Sequence, residues 1–154
     1  MQILLANAKI MFDKAERPPL TTPLFQSTAD TLAAEMARMD VDELARQLDC
    51  SHKIAAENLK RYHAYATATK LPAILAYNGQ AYKHLRAASL GEEALIYAQK
   101  HLWITCFLYG ILRPMDGIVS YRMEHCVSLD ATNDKPVNSG VALSVQAISN
   151  PKFP

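Results

Sequence analysis

Residues His101 to Glu124 read HLWITCFLYGILRPMDGIVSYRME, and this stretch decides most of what the sequence predicts. The apolar run from Leu102 to Leu112 predicts a buried β-strand. Buried strands present functional side chains at their ends, where loops leave a rigid scaffold. Ionisable groups of both signs follow this run: Arg113, Asp116, Arg122 and Glu124. The pattern is typical either of a functional cleft or of ion pairs that fasten a loop, because both perturb charges in similar ways.

Further strands are predicted at Ile3 to Ala6, Leu71 to Tyr77 and Ser120 to Leu129, with a tight turn at Gly79. Three prolines between residues 12 and 26 predict an irregular connection there. Strands that alternate with helices indicate an α/β (mixed α+β) fold in which helices pack on a mixed sheet.

Four helices are predicted from capping patterns and apolar spacing. Ser27 is the expected N-cap of the first helix, and Asp40 with Glu43 forms a capping-box pattern for the second. The third helix is expected to run from Ser51 to about Ala66. A fourth is expected from about Leu90 to Lys100, with Ser89 and Glu92 as its capping box.

The composition is that of an average globular domain. The chain has 154 residues, 50% of them hydrophobic and 20% charged, and its net charge is +1. This charge argues against a uniformly basic coat but leaves local patches open. No apolar run approaches the length that spans a bilayer, and the N-terminal residues do not resemble a signal peptide. A cytoplasmic protein that does not contact membranes is therefore expected.

The three cysteines, Cys50, Cys106 and Cys126, are too widely spaced to predict a disulfide framework or a zinc site. Cys106 is expected to pack as a small hydrophobic side chain. Cys126 lies near Arg122 in sequence, so it is either a thiol of lowered pKa or an ordinary half-buried one. The histidines show no metal-ligand spacing, and the common nucleotide and serine-hydrolase motifs are absent from the sequence. No metal or cofactor is expected.

Three blocks of sequence carry a family resemblance. LYGILRPMDGIVSYRMEH resembles the LYGxLRPLD…YRLEM signature of the YaaA family of bacterial peroxide-stress-resistance proteins. QILLANAKIM is similar to that family's opening strand and PAK motif, and PAILAYNGQAYKHL to its middle segment. Asn7 and Ser120 stand where the family's motifs have proline.

The resemblance covers residues 1–129, which predicts one YaaA-like α/β domain of the family's unusual fold. Residues 130–154 form a divergent tail, from either a truncated or frameshifted product or a natural short variant. Members of the family continue further, so the fold is expected to be shortened at its C-terminal side. An uncovered sheet edge would then favour self-association.

The strand ends predict one cleft with cations Lys9, Arg113 and Arg122 and carboxylates Asp116 and Glu124. The family resemblance carries over to these positions and to Tyr121. Arginine side chains bind phosphate or carboxylate bidentately, and lysine adds a point charge. The carboxylates either orient the cations or act as general bases.

A second candidate surface is the predicted third helix, with Lys53, Lys60 and Arg61 roughly two turns apart. Two helices joined by a tight connector are typical of modules that present a helix to the DNA backbone. The resemblance implies DNA binding through a helix-hairpin-helix element. A solvated helix face is the alternative, and the connector Asp49-Cys50-Ser51 contains no glycine.

Two functional hypotheses follow. The first is a cytoplasmic peroxide-stress protection protein, not expected to be an enzyme, that binds double-stranded DNA without sequence preference. It would use Lys53, Lys60 and Arg61 together with the positive cleft. The second is an enzyme for a small phosphate- or carboxylate-bearing substrate held in that cleft, with Asp116, Tyr121 and Glu124 as its catalytic groups.

Overall fold

The computed structural model describes residues 1–124 and 126–129 and has a mixed α/β architecture. A three-stranded sheet has the order β1-β3-β4, formed by Ile3–Ala6, Leu102–Cys106 and Gly110–Leu112. β1 runs parallel to β3, and β3 runs antiparallel to β4. A two-stranded antiparallel ribbon joins β2, Leu71–Pro72, to β5, Gly117–Ile118. The predicted mixed sheet with helices is confirmed.

The helices come in two groups along the chain. α1, α2 and α3 span Gln26–Met36, Val41–Gln47 and His52–His63. The short helices α4 and α5 span Ala73–Ala76 and Gln80–Leu85, and α6 spans Glu92–His101 directly before β3.

The N-terminal caps of α2 and α3 match the sequence. Asp40 accepts a hydrogen bond from the Glu43 amide at 2.8 Å, and Ser51 accepts one from the Ile54 amide at 3.4 Å. Each cap satisfies an amide that has no intrahelical partner. α1 is different, because it begins at Gln26, one residue before the predicted cap Ser27.

The long apolar run does not form a single strand, so that prediction was wrong. The chain turns after Cys106 and returns as β4, which makes a hairpin. Gly110 opens β4 with a φ of 69°, a conformation that favours glycine, and the Cys106 sulfur accepts the Tyr109 amide at 3.3 Å. An apolar run predicts that a segment is buried, but it does not show where the chain turns. The turn between β3 and β4 was therefore not predicted.

Two other predicted strands and one predicted helix cap were also wrong, while the helix expected from about Leu90 to Lys100 forms as α6. Residues 71–77 form only two strand residues before α4. The first amides of α4, those of Ala73 and Ile74, have no intrahelical partner and bond to the carbonyls of Asp116 and Pro114. Described residues between 120 and 129 form no named strand. Ser89 does not cap α6, since its hydroxyl donates to the Arg86 carbonyl and Gly91 is the N-cap. The predicted tail, residues 130–154, lies outside the described part of the chain.

The buried core lies between the three-stranded sheet and the helices, and β1 forms one edge of that sheet. Ile3 and Leu4 of β1 remain exposed. Parallel strands are normally covered on both faces, so an apolar, exposed parallel edge strand is unusual.

Candidate functional site

The centre of the candidate site is a triad of Lys9, Arg122 and Glu124. The Lys9 Nζ lies 2.9 Å from Glu124 Oε2, and Arg122 Nη2 lies 2.9 Å from Glu124 Oε1. The Glu124 side chain is 7% exposed, Arg122 is 21% exposed and Lys9 is 65% exposed. A buried carboxylate is therefore held between one half-buried and one exposed cation, and the triad carries a formal excess of one positive charge.

Local structure explains how the triad is assembled. Lys9 follows β1 after the Asn7 amide has bonded to the carbonyl of Thr105 on β3. Arg122 is fixed from α3, because the Tyr62 hydroxyl donates to its carbonyl at 2.6 Å. As a result, Lys9, near the N-terminus, contacts Glu124, near the end of the described residues. The sequence did not indicate this anchoring role of Tyr62.

Several buried polar atoms near the triad have no hydrogen-bond partner among the described residues. Three of them lie at alternating positions of one segment: Ser120 Oγ, Arg122 Nε and Glu124 Oε1. Glu124 Oε1 is close to Arg122 Nη2, but the contact is a charge pair without the alignment of a hydrogen bond. Buried polar atoms without partners are costly, so they mark places where a polar ligand or ordered water fits.

A fourth such atom is Asn58 Oδ1 on the buried face of α3, one turn before Tyr62. Its amide nitrogen donates to the Ile54 carbonyl at 2.8 Å. The helical spacing of Ala55, Asn58 and Tyr62 puts a polar group on an otherwise apolar face, which is the signal that sequence reasoning missed.

Arg113 and Asp116 form a second group with different contacts. The Arg113 guanidinium lies 3.2 Å from the centroid of the Trp103 ring, and its Nη1 donates to the Lys100 carbonyl at 3.3 Å. Asp116 accepts the Arg113 amide at 2.7 Å and the Thr21 hydroxyl at 2.6 Å. Burial raises the pKa of Asp116, and these hydrogen bonds oppose the rise. No ion pair or hydrogen bond among the described residues joins this group to the triad.

Tyr121 lies in the core with other aromatic side chains. Its hydroxyl is 2.9 Å from the Tyr77 hydroxyl, and its ring meets Tyr109 edge to face at 5.8 Å between centroids. Burial raises the pKa of Cys106, while hydrogen bonds from Tyr121 and Tyr77 lower it. Of the three predicted catalytic groups, the structure therefore places only Glu124 in the triad.

The predicted basic helix is α3, and its cations do not share one face. Lys53 and Lys60 are exposed and lie two turns apart. Arg61 is turned toward Asp13, with 3.7 Å between Nη2 and Oδ1.

The connector between α2 and α3 has the hydrogen bonds of a Schellman motif. The Cys50 amide bonds to the Ala45 carbonyl at 3.1 Å and the Asp49 amide to the Arg46 carbonyl at 3.3 Å. Asp49 takes a φ of 45°, where glycine usually stands. The tight helix pair therefore forms without the glycine that the sequence lacked.

Comparison with known proteins places these features in a family. The sequence profile described as peroxide stress protein YaaA matches residues 1–139. The chain belongs to the YaaA family of peroxide stress proteins.

Several curated relatives carry the name UPF0246 protein. One from Bacteroides thetaiotaomicron is 45% identical over 133 residues, which are 84% of this chain and 52% of the relative. One from Dinoroseobacter shibae is 39% identical and one from Crocosphaera subtropica 33%, covering 80% and 87% of this chain and 48% and 54% of those proteins. The chain spans about half the length of the curated relatives it matches.

The described residues offer neither a membrane span nor a cluster of metal ligands. No helix there is long and apolar enough to cross a membrane. No group of three or more His, Cys, Asp or Glu side chains in the same residues is arranged to hold a metal ion.

Proposed function

We propose that this member of the peroxide stress family acts in the cytoplasm by binding double-stranded DNA without sequence preference, through the pair of helices α2 and α3. The observation that carries the proposal is the Schellman connector at Asp49, which holds the helices in a tight hairpin. The N-terminal end of α3 carries a partial positive charge from the helix dipole. Lys53 and Lys60 add exposed charge along the same helix.

Contacts of this kind neutralise phosphates and release counterions, so affinity falls steeply as salt rises. Arg122 and Lys9 would extend the positive surface only in part, because Glu124 compensates one of these charges. Arg113 is stacked on Trp103 and would contribute through its remaining donors.

The test is a titration of short duplex DNA across salt concentration with the variant Lys53→Gln/Lys60→Gln. The loss of two phosphate contacts should lower the slope of log affinity against log salt by about 0.9 for each contact. The matched control is Lys14→Gln/Lys83→Gln, which removes the same charge from exposed residues outside the hairpin. An equal loss of affinity in both variants would contradict the proposal.

A second candidate function is supported by the unpartnered polar atoms at the triad. In this alternative, Lys9 and Arg122 hold a small phosphate- or carboxylate-bearing ligand, and Glu124 accepts a proton or hydrogen bond from it. The Arg122 Nε and Ser120 Oγ atoms, which have no hydrogen-bond partner among the described residues, supply donors. Plain DNA binding has little use for a buried carboxylate.

This alternative is tested by thermal unfolding with inorganic phosphate and with succinate at constant ionic strength. A saturable rise of Tm that disappears in Lys9→Gln would support it, since ligands that bind only the native state raise stability by mass action. A shift that chloride reproduces, or that never saturates, would argue against it.

A further inference from the structure

Two of the three cysteines lie where two separate stretches of chain meet. Residues 126–129 dock on the C-terminal end of α2, where the Gln47 side chain exchanges two hydrogen bonds with the Ser128 backbone. The Cys126 sulfur lies 3.5 Å from the Gln47 carbonyl oxygen, to which its thiol donates. Cys126 is exposed and is held against the last residue of α2.

Cys50 stands three residues after Gln47, in the Schellman connector. The backbone reverses there, so Cys50 returns beside the last turn of α2 and packs on the core while staying half-buried. The bond between the Cys50 amide and the Ala45 carbonyl folds the connector back onto α2, so Cys50 stays at the end of the helix that carries Gln47. Cys126, at Gln47, and Cys50, in the connector, therefore lie at the same end of α2 on two separate stretches of chain.

Electrostatics place the same two stretches together independently. Burial raises the pKa of the Cys50 thiol, the positive charge of Arg122 lowers it, and the negative charge of Glu124 raises it. Both charges belong to the segment that leads into Cys126. Cys50 thus lies near Arg122 and Glu124, the charged residues that precede Cys126 along the chain.

We propose that Cys50 and Cys126 are a redox pair that closes to an intramolecular disulfide when the protein meets hydrogen peroxide. The Cys126 thiolate attacks one peroxide oxygen, the O–O bond breaks, and the sulfenic acid forms as hydroxide leaves. The hydroxide takes up the proton that the Cys126 thiol had released and becomes water. The Cys50 thiol then attacks that sulfur, the S–S bond forms, the S–O bond breaks, and a second water leaves. One peroxide is reduced as two thiols are oxidised.

The order of attack follows from exposure. Cys126 is open to solvent, whereas the half-buried Cys50 is protected and suits the second step. Closure would tie the segment that follows Arg122 and Glu124 to the connector of the α2–α3 pair. Cys106 takes no part, because it is buried among tyrosines.

The test is peptide mapping of the reduced, full-length protein after treatment with one equivalent of hydrogen peroxide and alkylation of the remaining thiols. We expect a Cys50–Cys126 link within one molecule, an alkylated Cys106, and reversal by dithiothreitol. In Cys126→Ser the link should disappear, and in Cys106→Ala it should persist. Wild-type mapping needs no variant to fold, so its result stands alone. Links only between molecules, or a Cys126 sulfinic acid beside an alkylated Cys50, would overturn the proposal.

Discussion

Glu124 lies 2.9 Å from the Nζ of Lys9, although the two residues come from opposite ends of the described chain. The contact links Lys9, which follows β1, to the segment of Arg122 and Glu124. The Tyr62 hydroxyl of α3 holds that segment by its bond to the Arg122 carbonyl. Arg122 is more buried than Lys9, so the two ion pairs with Glu124 should contribute differently to the free energy of unfolding. Exposed ion pairs contribute little, whereas breaking a buried one leaves an uncompensated charge.

We expect Glu124→Ala to lower the free energy of unfolding by about 3–5 kcal/mol, because Arg122 would keep a half-buried charge without its carboxylate. Lys9→Met should cost no more than about 1 kcal/mol, since the Lys9 ammonium is largely solvated. Urea unfolding of both variants measures the difference. Glu57→Ala, which removes an exposed carboxylate from α3, is the control. Equal costs for Glu124→Ala and Glu57→Ala would mean that the triad is not a structural unit.

The connector at Asp49 predicts a stabilising substitution. A residue with a side chain pays about 1 kcal/mol in the left-handed region, so Asp49→Gly should raise the free energy of unfolding by roughly that amount. The same change on an exposed helical position, Glu57→Gly, should lower it by about 1 kcal/mol. Thermal unfolding of the two variants should therefore shift in opposite directions. A destabilised Asp49→Gly would contradict the left-handed connector.

The tyrosine cluster consists of the buried Tyr77 and Tyr121 and the half-buried Tyr65. It predicts that the protein unfolds cooperatively at alkaline pH. Burial raises the pKa of Tyr65 to about 12, and it raises the pKa of Tyr77 and of Tyr121 well above the ordinary value of a tyrosine. Above pH 10 the unfolded chain loses phenolic protons that the folded chain keeps, so stability falls as pH rises through this range. Tyrosinate absorbance and far-UV circular dichroism should change together above pH 10. Tyrosinate absorbance from these side chains in a chain that is still folded would argue against a sealed cluster.

The exposed β1 edge predicts self-association. Ile3 and Leu4 lie on an edge strand that contains no charged residue to discourage pairing. We propose that sedimentation will show a concentration-dependent dimer that Leu4→Lys weakens. Leu24→Lys is the control, since Leu24 is 51% exposed and Leu4 is 52% exposed. A wild-type protein that stays monomeric at all concentrations, or two variants with equal effects, would rule this out.

The errors in the predicted elements share a physical cause. Residues 71–77 are apolar enough for a strand, but the strand ends at Pro72, and the first amides of α4 find their partners in the loop after β4. The apolar pattern of the run from Leu102 likewise does not show that its second half pairs with its first half as a hairpin. Arg113 was expected beside Arg122, and the geometry of that hairpin stacks it on Trp103. Each of these outcomes depends on atoms far away in sequence.

The sequence by itself determined the family, the capped starts of α2 and α3 and the identity of the charged residues that follow the apolar run. These features are local, because a cap or an amphipathic stripe needs only neighbours within a few turns. Tertiary structure alone decided that Glu124 meets Lys9 and Arg122, that Asp116 and Tyr121 lie apart from them, and that Cys126 lies against α2. Such contacts arise only when sheet order and helix packing bring distant segments together, and composition and periodicity carry no record of that pairing.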